Sequence, residues 1–337
     1  MANSKGYLDP FNQEFVDSLP AGPPLEELSV KRIRALVEQL SEHEQLPGVK
    51  RTSFEAPVAG GVKTWLYTPE GSSSELLPFI YYVHGGLWMA GSINTHDSIV
   101  TDLVLRTKFA VVFPEYTRSP EVTFPTIEDE CFAVLKWLTK NGEKKGLQKT
   151  NFALVSDSVG AQLAASLNFR WQDTKQQIQI KYNVMTCPEL ESSTTNRSTP
   201  SEFLFFNGPL YTVPLKHRAI ELYIPDEDDR TTDLGNPSLI SDKHARGFGP
   251  TLVIVSSTDL LRAEGEDFGR KLQQAGTECA IVRGDGLVHN FNLFETARAS
   301  PTSKAIASMI SETLVERLGD VSHDLKSIQR KRRRVRA

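Results

Sequence analysis

Eight short β-rich runs, most of them separated by helix-length segments, constrain this chain more than any other feature of its sequence. The first two, residues 51–56 and 62–68, flank a Gly60-Gly61 turn and read as an antiparallel hairpin. Six more follow at 79–83, 109–113, 152–155, 182–187, 252–255 and 279–282. Several are apolar throughout instead of alternating, as expected of strands covered by helices on both faces. Helical patterns fill the crossovers. They span 94–108, 126–141 (with Ile127, Phe132, Leu135 and Trp137 near helical spacing), 159–169 and 264–274, the last opening acidic and ending near Gly276. Such alternation predicts an α/β fold, with a mostly parallel eight-stranded sheet flanked by helices.

A chain of 337 residues, 39% hydrophobic and 24% charged, can hold one large α/β domain with a lid or two ordinary domains. Two segments do not fit the sheet. Residues 1–45 contain a predicted helix at 28–40 behind the Pro-rich AGPP, and residues 193–246 contain polar loops and a helical stretch at 215–222. The strand pattern resumes after the second segment, so an embedded lid fits better than a separate domain. The expected layout is N-terminal cap helices at 1–45, a main domain at 46–322 with a cap insert at about 193–246, and a basic tail at 323–337.

The tail carries Arg330, Lys331, Arg332, Arg333, Arg334 and Arg336; without these six charges the net −4 becomes −10. A run of this kind reads first as a disordered, solvated tail, and second as a nuclear signal or a contact for an anionic surface. The acidic body argues against nucleic acid as the main partner. The opening MANSKGYLDP lacks the layout of a signal peptide, and no apolar stretch approaches the roughly 18 residues that span a bilayer. Cys131, Cys187 and Cys279 sit in apolar contexts, which favours buried free thiols over a disulfide. The expectation is therefore a cytoplasmic protein, for which the sequon at Asn196-Arg197-Ser198 has no consequence.

Four motifs fall at the C-terminal ends of four different predicted strands. In LVSDSVGAQLAA, residues 154–165, an apolar strand runs into Ser156-Asp157-Ser158-Val159-Gly160 and a helix of small residues follows. A strand, a strained turn and a helix, with small residues two before and two after a serine, lift that hydroxyl out of a sheet. Taken alone, the motif is matched equally by an ordinary N-cap serine. The run Val83-His84-Gly85-Gly86-Leu87-Trp88 places two glycines after a strand, where backbone N–H groups can be aimed at an oxyanion. There His84 and Gly85 are expected to brace the loop. Asp259 follows the strand at 252–255, and His289 follows the last strand. Singly, each reads as a cap or loop residue. Together, in the order serine, acid, histidine, they form the set found in α/β-hydrolases, unlike the orders in chymotrypsin or subtilisin.

On these residues the chain resembles the hormone-sensitive-lipase-like carboxylesterases of the α/β-hydrolase fold. HGGLW is similar to that family's HGGG loop, and SDSVGA to its GDSAGG elbow. Residues 115–121 with Phe124-Pro125 resemble its DYRLAPE-x-x-FP block, and Asp259-Leu260-Leu261-Arg262-Ala263-Glu264-Gly265 resembles DPLRDEG. The likeness covers nearly the whole chain. It implies a catalytic triad of Ser158, Asp259 and His289, an oxyanion hole made by the N–H groups of Gly86, Leu87 and Val159, and a cap built from both segments outside the sheet. The chain departs from the pattern at Leu87, Ser156, Val159 and Ala161, which puts rate and substrate range in question more than the triad.

The function expected is hydrolysis of carboxylic esters through an acyl-enzyme, with a small-molecule ester as the partner and neither cofactor nor metal. Phe203, Phe205, Phe206, Tyr211 and Tyr223 make the insert aromatic, and Trp88 is expected at the pocket floor. Trp88, Asp157, Phe205 and Tyr211 are assigned to the substrate pocket, which favours small apolar or aromatic substrates. The alternative is a tailoring enzyme of a natural-product pathway (deacetylase, lactonase, cyclase or lyase) on the same scaffold. The resemblance also allows a homodimer, since exposed C-terminal elements in such folds often pair.

Overall fold

A computed structural model describes residues 6–72, 75–174, 178–194 and 199–319. The basic tail at 323–337 and the sequon lie outside the described residues. The eight strands are β1 (Val49–Ala56), β2 (Val62–Pro69), β3 (Leu77–Val83), β4 (Ala110–Pro114), β5 (Leu147–Asp157), β6 (Asn183–Thr186), β7 (Thr251–Ser256) and β8 (Cys279–Gly284). They form one sheet in the order β1-β2-β4-β3-β5-β6-β7-β8. Strand β2 pairs antiparallel with β1 and β4, and every other pairing is parallel. This is the α/β-hydrolase fold, as the strand–helix alternation predicts.

The helices are α1 (Pro10–Asp17), α2 (Val30–Leu40), α3 (Ile93–Thr107), α4 (Thr126–Asn141), α5 (Val159–Asp173), α6 (Pro200–Leu204), α7 (Val213–Tyr223), α8 (Asp242–Arg246), α9 (Arg262–Gln274), α10 (Glu295–Arg298) and α11 (Pro301–Leu318). Alternate residues of β3 divide the interior between two cores. Phe79, Tyr81 and Val83 pack with Val134, Leu135, Leu163 and Leu167, which belong to α4 and α5. Ile80 and Tyr82 pack with Val100, Val104, Ile310 and Leu314, which belong to α3 and α11. Strands buried on both faces have no polar side to expose, which is why their sequences are apolar throughout. All three cysteines are free thiols, with Cys131 and Cys187 buried and Cys279 half-buried. Among the described residues, no helix is long and apolar enough to cross a membrane.

The two segments outside the sheet take different positions. Helix α2 and the turn at Leu25 reach the cavity that holds Ser158, whereas α1 packs on α10, with Phe15 stacked on Phe294 at 4.3 Å. Asp9 caps α1 by accepting the Asn12 N–H at 2.8 Å, and Asn12 in turn accepts the N–H of Val288. The first helix supports the loop that carries His289.

The insert is fastened from inside by a buried lysine. Lys216, on α7 and fully buried, donates to Glu202 of α6 at 2.9 Å and to Glu264 of α9 at 2.6 Å. Glu264 also accepts the N–H of Leu190 at 2.7 Å. Burial alone would favour the neutral amine, but Glu264, Glu202 and Glu189 outweigh it and hold the ammonium charged. Removing one partner of a buried ion group leaves the others uncompensated, at about 3–5 kcal/mol. We therefore expect Lys216→Ala to lose stability on that scale, read as a lower urea midpoint; a midpoint within experimental error of wild type would contradict the account.

Candidate active site

Helix α5 begins at the end of β5, and Ser158 occupies the turn between them with φ 50° and ψ −128°. A non-glycine residue in this region is strained by about 1–3 kcal/mol, a cost borne where a tight strand-to-helix turn must present one side chain. Gly160 allows the turn to close. A Cβ there would lie 2.1 Å from the Val83 carbonyl oxygen, so only glycine lets the elbow press against the end of β3.

The structure brings Ser158, His289 and Asp259 together. His289 Nε2 lies 3.0 Å from Ser158 Oγ, and its Nδ1 lies 2.7 Å from Asp259 Oδ2. With a carboxylate on one side, the Nδ1–H donates to Asp259 and Nε2 is left to accept from the serine hydroxyl. Burial disfavours the imidazolium, yet the charge and hydrogen bond of Asp259, with Glu189 and Asp157 farther out, raise the His289 pKa above its ordinary value. Asp259 is itself oriented by the Leu261 N–H at 3.0 Å.

The loop after β3 runs beside the serine. Gly86 has φ 115°, and a Cβ there would lie 2.4 Å from the Ala90 carbonyl oxygen. Leu87 follows with φ 61°. Among the described residues, the N–H groups of Gly86, Leu87 and Val159 donate to no other protein group. Val159 is the first residue of α5, where N–H groups lack helical partners and the dipole favours negative charge. His84 is stacked between Tyr116 and Phe113, with ring centroids 4.0 and 4.9 Å away. Its Nδ1 donates to the Gly85 carbonyl at 2.7 Å, and burial, with nearby His96, lowers its pKa to about 3. A histidine so hard to protonate is suited to bracing the loop.

A cavity of about 80 Å³ opens over these groups. Its walls are largely aliphatic. Leu25, Ile33, Leu36, Val37 and Leu40 line it from the N-terminal segment, and Leu210, Tyr211 and Leu215 from the insert.

A family model described as alpha/beta hydrolase fold matches residues 80–293, more than half of the chain. The chain belongs to the α/β-hydrolase family. An esterase of Gibberella moniliformis is 30% identical over 307 residues, spanning 90% of this chain and 95% of that protein. The crystal structure of carboxyl esterase 2 from the mycorrhizal fungus Tuber melanosporum superposes with a TM-score of 0.84 at 30% identity, covering 92% of this chain and 99% of the other. A thermostable esterase from Pseudomonas putida superposes with a TM-score of 0.89 at 26% identity, covering 95% and 100%. These relatives place this α/β-hydrolase in the hormone-sensitive-lipase-like carboxylesterase branch that its motifs resemble.

Three of the four residues assigned to the pocket of this α/β-hydrolase lie elsewhere. Trp88 is fully buried in the core, donating to Gln162 at 3.1 Å and stacked on Tyr223 at 5.3 Å. Phe205 packs against Gly6 beneath the Arg262 guanidinium, away from the cavity. Asp157 points back under the elbow, accepting from Tyr82 at 2.9 Å, the Gly85 N–H at 3.1 Å and Asn290 at 3.0 Å. Tyr211 does line the cavity, with its ring 4.7 Å from that of His289. Of the other aromatics in the insert, Phe203 and Phe206 are exposed and Tyr223 is buried. The aliphatic wall from α2 was missed, although its signal was present: Ile33, Leu36, Val37 and Leu40 recur at helical spacing.

Among the described residues, the one group with metal-ligand geometry is Cys187, Asp259 and His289, whose ligand atoms lie within 4.8 Å of one another. Burial and the Asp259 charge push the Cys187 thiol well up, and His289 and Asp259 are already bonded to each other. A neutral thiol is a poor ligand, so the group reads as part of the hydrogen-bonded pair and not as a metal centre.

The geometry makes a direct statement about His289. Its NMR titration midpoint should lie above the ordinary histidine value, and Asp259→Asn, which removes the charge that raises it, should bring it down. An unchanged midpoint in the variant would refute this electrostatic account.

Proposed function

We propose that this α/β-hydrolase cleaves carboxylic esters of small apolar substrates by forming an acyl-enzyme on Ser158. The observation that carries the reading is the continuous hydrogen-bonded chain from Ser158 Oγ through His289 to Asp259, set at a helix N-terminus beside free backbone donors. His289 takes the serine proton as Oγ attacks the ester carbonyl. Asp259 keeps the imidazole in the accepting tautomer and stabilises the imidazolium that forms. The N–H groups of Gly86, Leu87 and Val159 hold the oxyanion, and His289 then protonates the departing alkoxide. Water, activated by the same imidazole, attacks the acyl-enzyme and releases the acid.

The relatives support this reading, since they include an esterase, a carboxyl esterase and an ethyl acetate hydrolase. No observation favours the tailoring alternative. The small aliphatic cavity supports short acyl or alkyl groups over bulky ones.

The test is hydrolysis of p-nitrophenyl acetate, butyrate and octanoate, with Ser158→Ala as the control. We expect turnover of the short esters to exceed that of octanoate, and a loss of roughly 10⁶-fold in kcat in the variant, the scale seen when a triad serine is removed. Because the base must be neutral, the rate should rise with pH through the raised His289 pKa. A well-folded wild type that turns over no ester, and is not labelled by a fluorophosphonate, would overturn the reading.

A further inference from the structure

A second cavity, of about 360 Å³, lies between α3, α10 and α11 and takes no part in that chemistry. It backs onto the cavity above Ser158 across one shared wall, Leu293. Its volume falls within the roughly 300–1,000 Å³ of small-molecule sites. Ile99, Leu103, Ile306 and Ile310 make much of its lining aliphatic, and Arg298 of α10 supplies a guanidinium. That side chain is only 25% exposed. Among the described residues it makes one ion pair, with Asp102 Oδ2 at 3.7 Å, and no hydrogen bond.

The charges around Arg298 do not balance. Asp102 is already held by Arg106, whose Nε donates to it at 2.8 Å, so two arginines share one carboxylate. Asp97, the other acid that α3 turns to this cavity, is taken up by Arg51 at 2.9 Å and by the Tyr67 hydroxyl at 2.6 Å. Glu44, Glu295 and Lys304 are exposed at the rim, where water screens them. Burial presses the Arg298 pKa down and Arg106 adds to this, while Asp102 offsets part of it. A mostly buried guanidinium with one distant partner carries a cost that a leucine in its place would not, and its donors remain to be satisfied. The missing partner is one negative charge with acceptor oxygens.

We propose that this cavity binds an organic monoanion, a carboxylate with a short apolar tail, whose head pairs with Arg298 and whose tail lies along Ile99, Leu103, Ile306 and Ile310. A guanidinium matches a carboxylate through a planar, two-pronged bond, which gives geometric selectivity as well as charge. One uncompensated positive charge calls for a monoanion, and the aliphatic lining disfavours a head group without a tail, such as inorganic phosphate. The acids that ester hydrolysis releases belong to this class, although the site stands apart from Ser158 and does not rest on the esterase reading. Phe291 and Asn292 line the site directly after Asn290, so its occupant sits against the loop that carries His289.

The experiment is calorimetric titration of sodium hexanoate into the full chain after a fluorophosphonate has filled the cavity above Ser158. Inorganic phosphate and 1-hexanol are the controls for head and tail, and urea midpoints show that each variant is folded. We expect saturable hexanoate binding, at least tenfold tighter than that of either control. Arg298→Met should weaken it tenfold or more, and Arg298→Lys, which keeps the charge but not the planar fork, should weaken it less. Ala307 lines the same cavity. Ala307→Phe fills the space without changing any charge, so it should also weaken binding tenfold or more, and it decides the matter if Arg298→Met does not fold. Absence of saturable binding, a control that binds as tightly as hexanoate, or equal binding in wild type and the folded variants overturns the proposal. Failure of Ser158 to label brings down the esterase reading alone, and the same titration of the unlabelled chain then decides the site through the Arg298 and Ala307 variants.

Discussion

Beneath the nucleophile elbow, the carboxylate of Asp157 gathers hydrogen bonds from two separate stretches of chain: the Tyr82 hydroxyl near the end of β3 with the N–H of Gly85 in the glycine loop that follows, and the side-chain amide of Asn290 next to His289. His96 Nε2 on α3 lies 3.3 Å from the same group. A buried carboxylate is costly unless it is paired, and desolvation is the largest influence on Asp157; the donors and the nearby His96 outweigh it and keep its pKa low. In a low-dielectric interior such bonds are strong and directional. They fix the glycine loop and the loop of His289 against the residue just before Ser158, so three parts of the candidate site share a single anchor. Asp157, which its place in the motif assigns to the substrate pocket, supports the elbow from behind instead.

The cover over the cavity is tied to the same frame. Arg34 of α2 donates to the Met89 carbonyl at 2.6 Å and pairs with Glu121, and Glu38 accepts the Ser92 hydroxyl at 2.6 Å. Both Met89 and Ser92 lie just beyond the glycine loop, so the helix that supplies the aliphatic wall is fixed to the segment that supplies the donors. On the far side, the Lys216 cluster holds α6, α7 and α9 together and reaches Leu190, next to Glu189. Pocket walls and the loops of the candidate site are therefore coupled through polar contacts as well as through apolar packing.

The sheet was legible in the sequence because strands buried on both faces must be apolar throughout, and each of the eight runs became a strand. The long crossover helices were legible from helical spacing and end signals, and the boundaries of α4 were read without error at 126 and 141. The juxtaposition of Ser158, His289 and Asp259 was legible because each follows its own strand. What the sequence concealed depends on which way side chains point. Trp88 and Phe205 suit a pocket or a core equally well by composition. Helix α1 is short, and its role rests on Asp9 and Asn12 meeting Gly286 and Val288, some 276 residues along the chain for the Asn12–Val288 contact. No local pattern announces a partner so distant.

The departures from the family pattern make physical sense once the positions of these residues are known. Ser156, in place of the usual glycine, is buried and donates its hydroxyl to the Val184 carbonyl at 3.2 Å, so its added polarity is satisfied within the sheet. Leu87, in place of a third glycine, adopts φ 61° at some cost in strain, but the donor we propose for the oxyanion is its backbone N–H, which any residue except proline carries. Its side chain joins the wall of the cavity. Val159 and Ala161 are buried in the core beneath the elbow, not in the cavity wall. Of these changes only the one at Leu87 reaches the space where an acyl or alkyl group would sit, and it makes that space smaller and more apolar. The set therefore bears on which ester fits far more than on whether the serine can react.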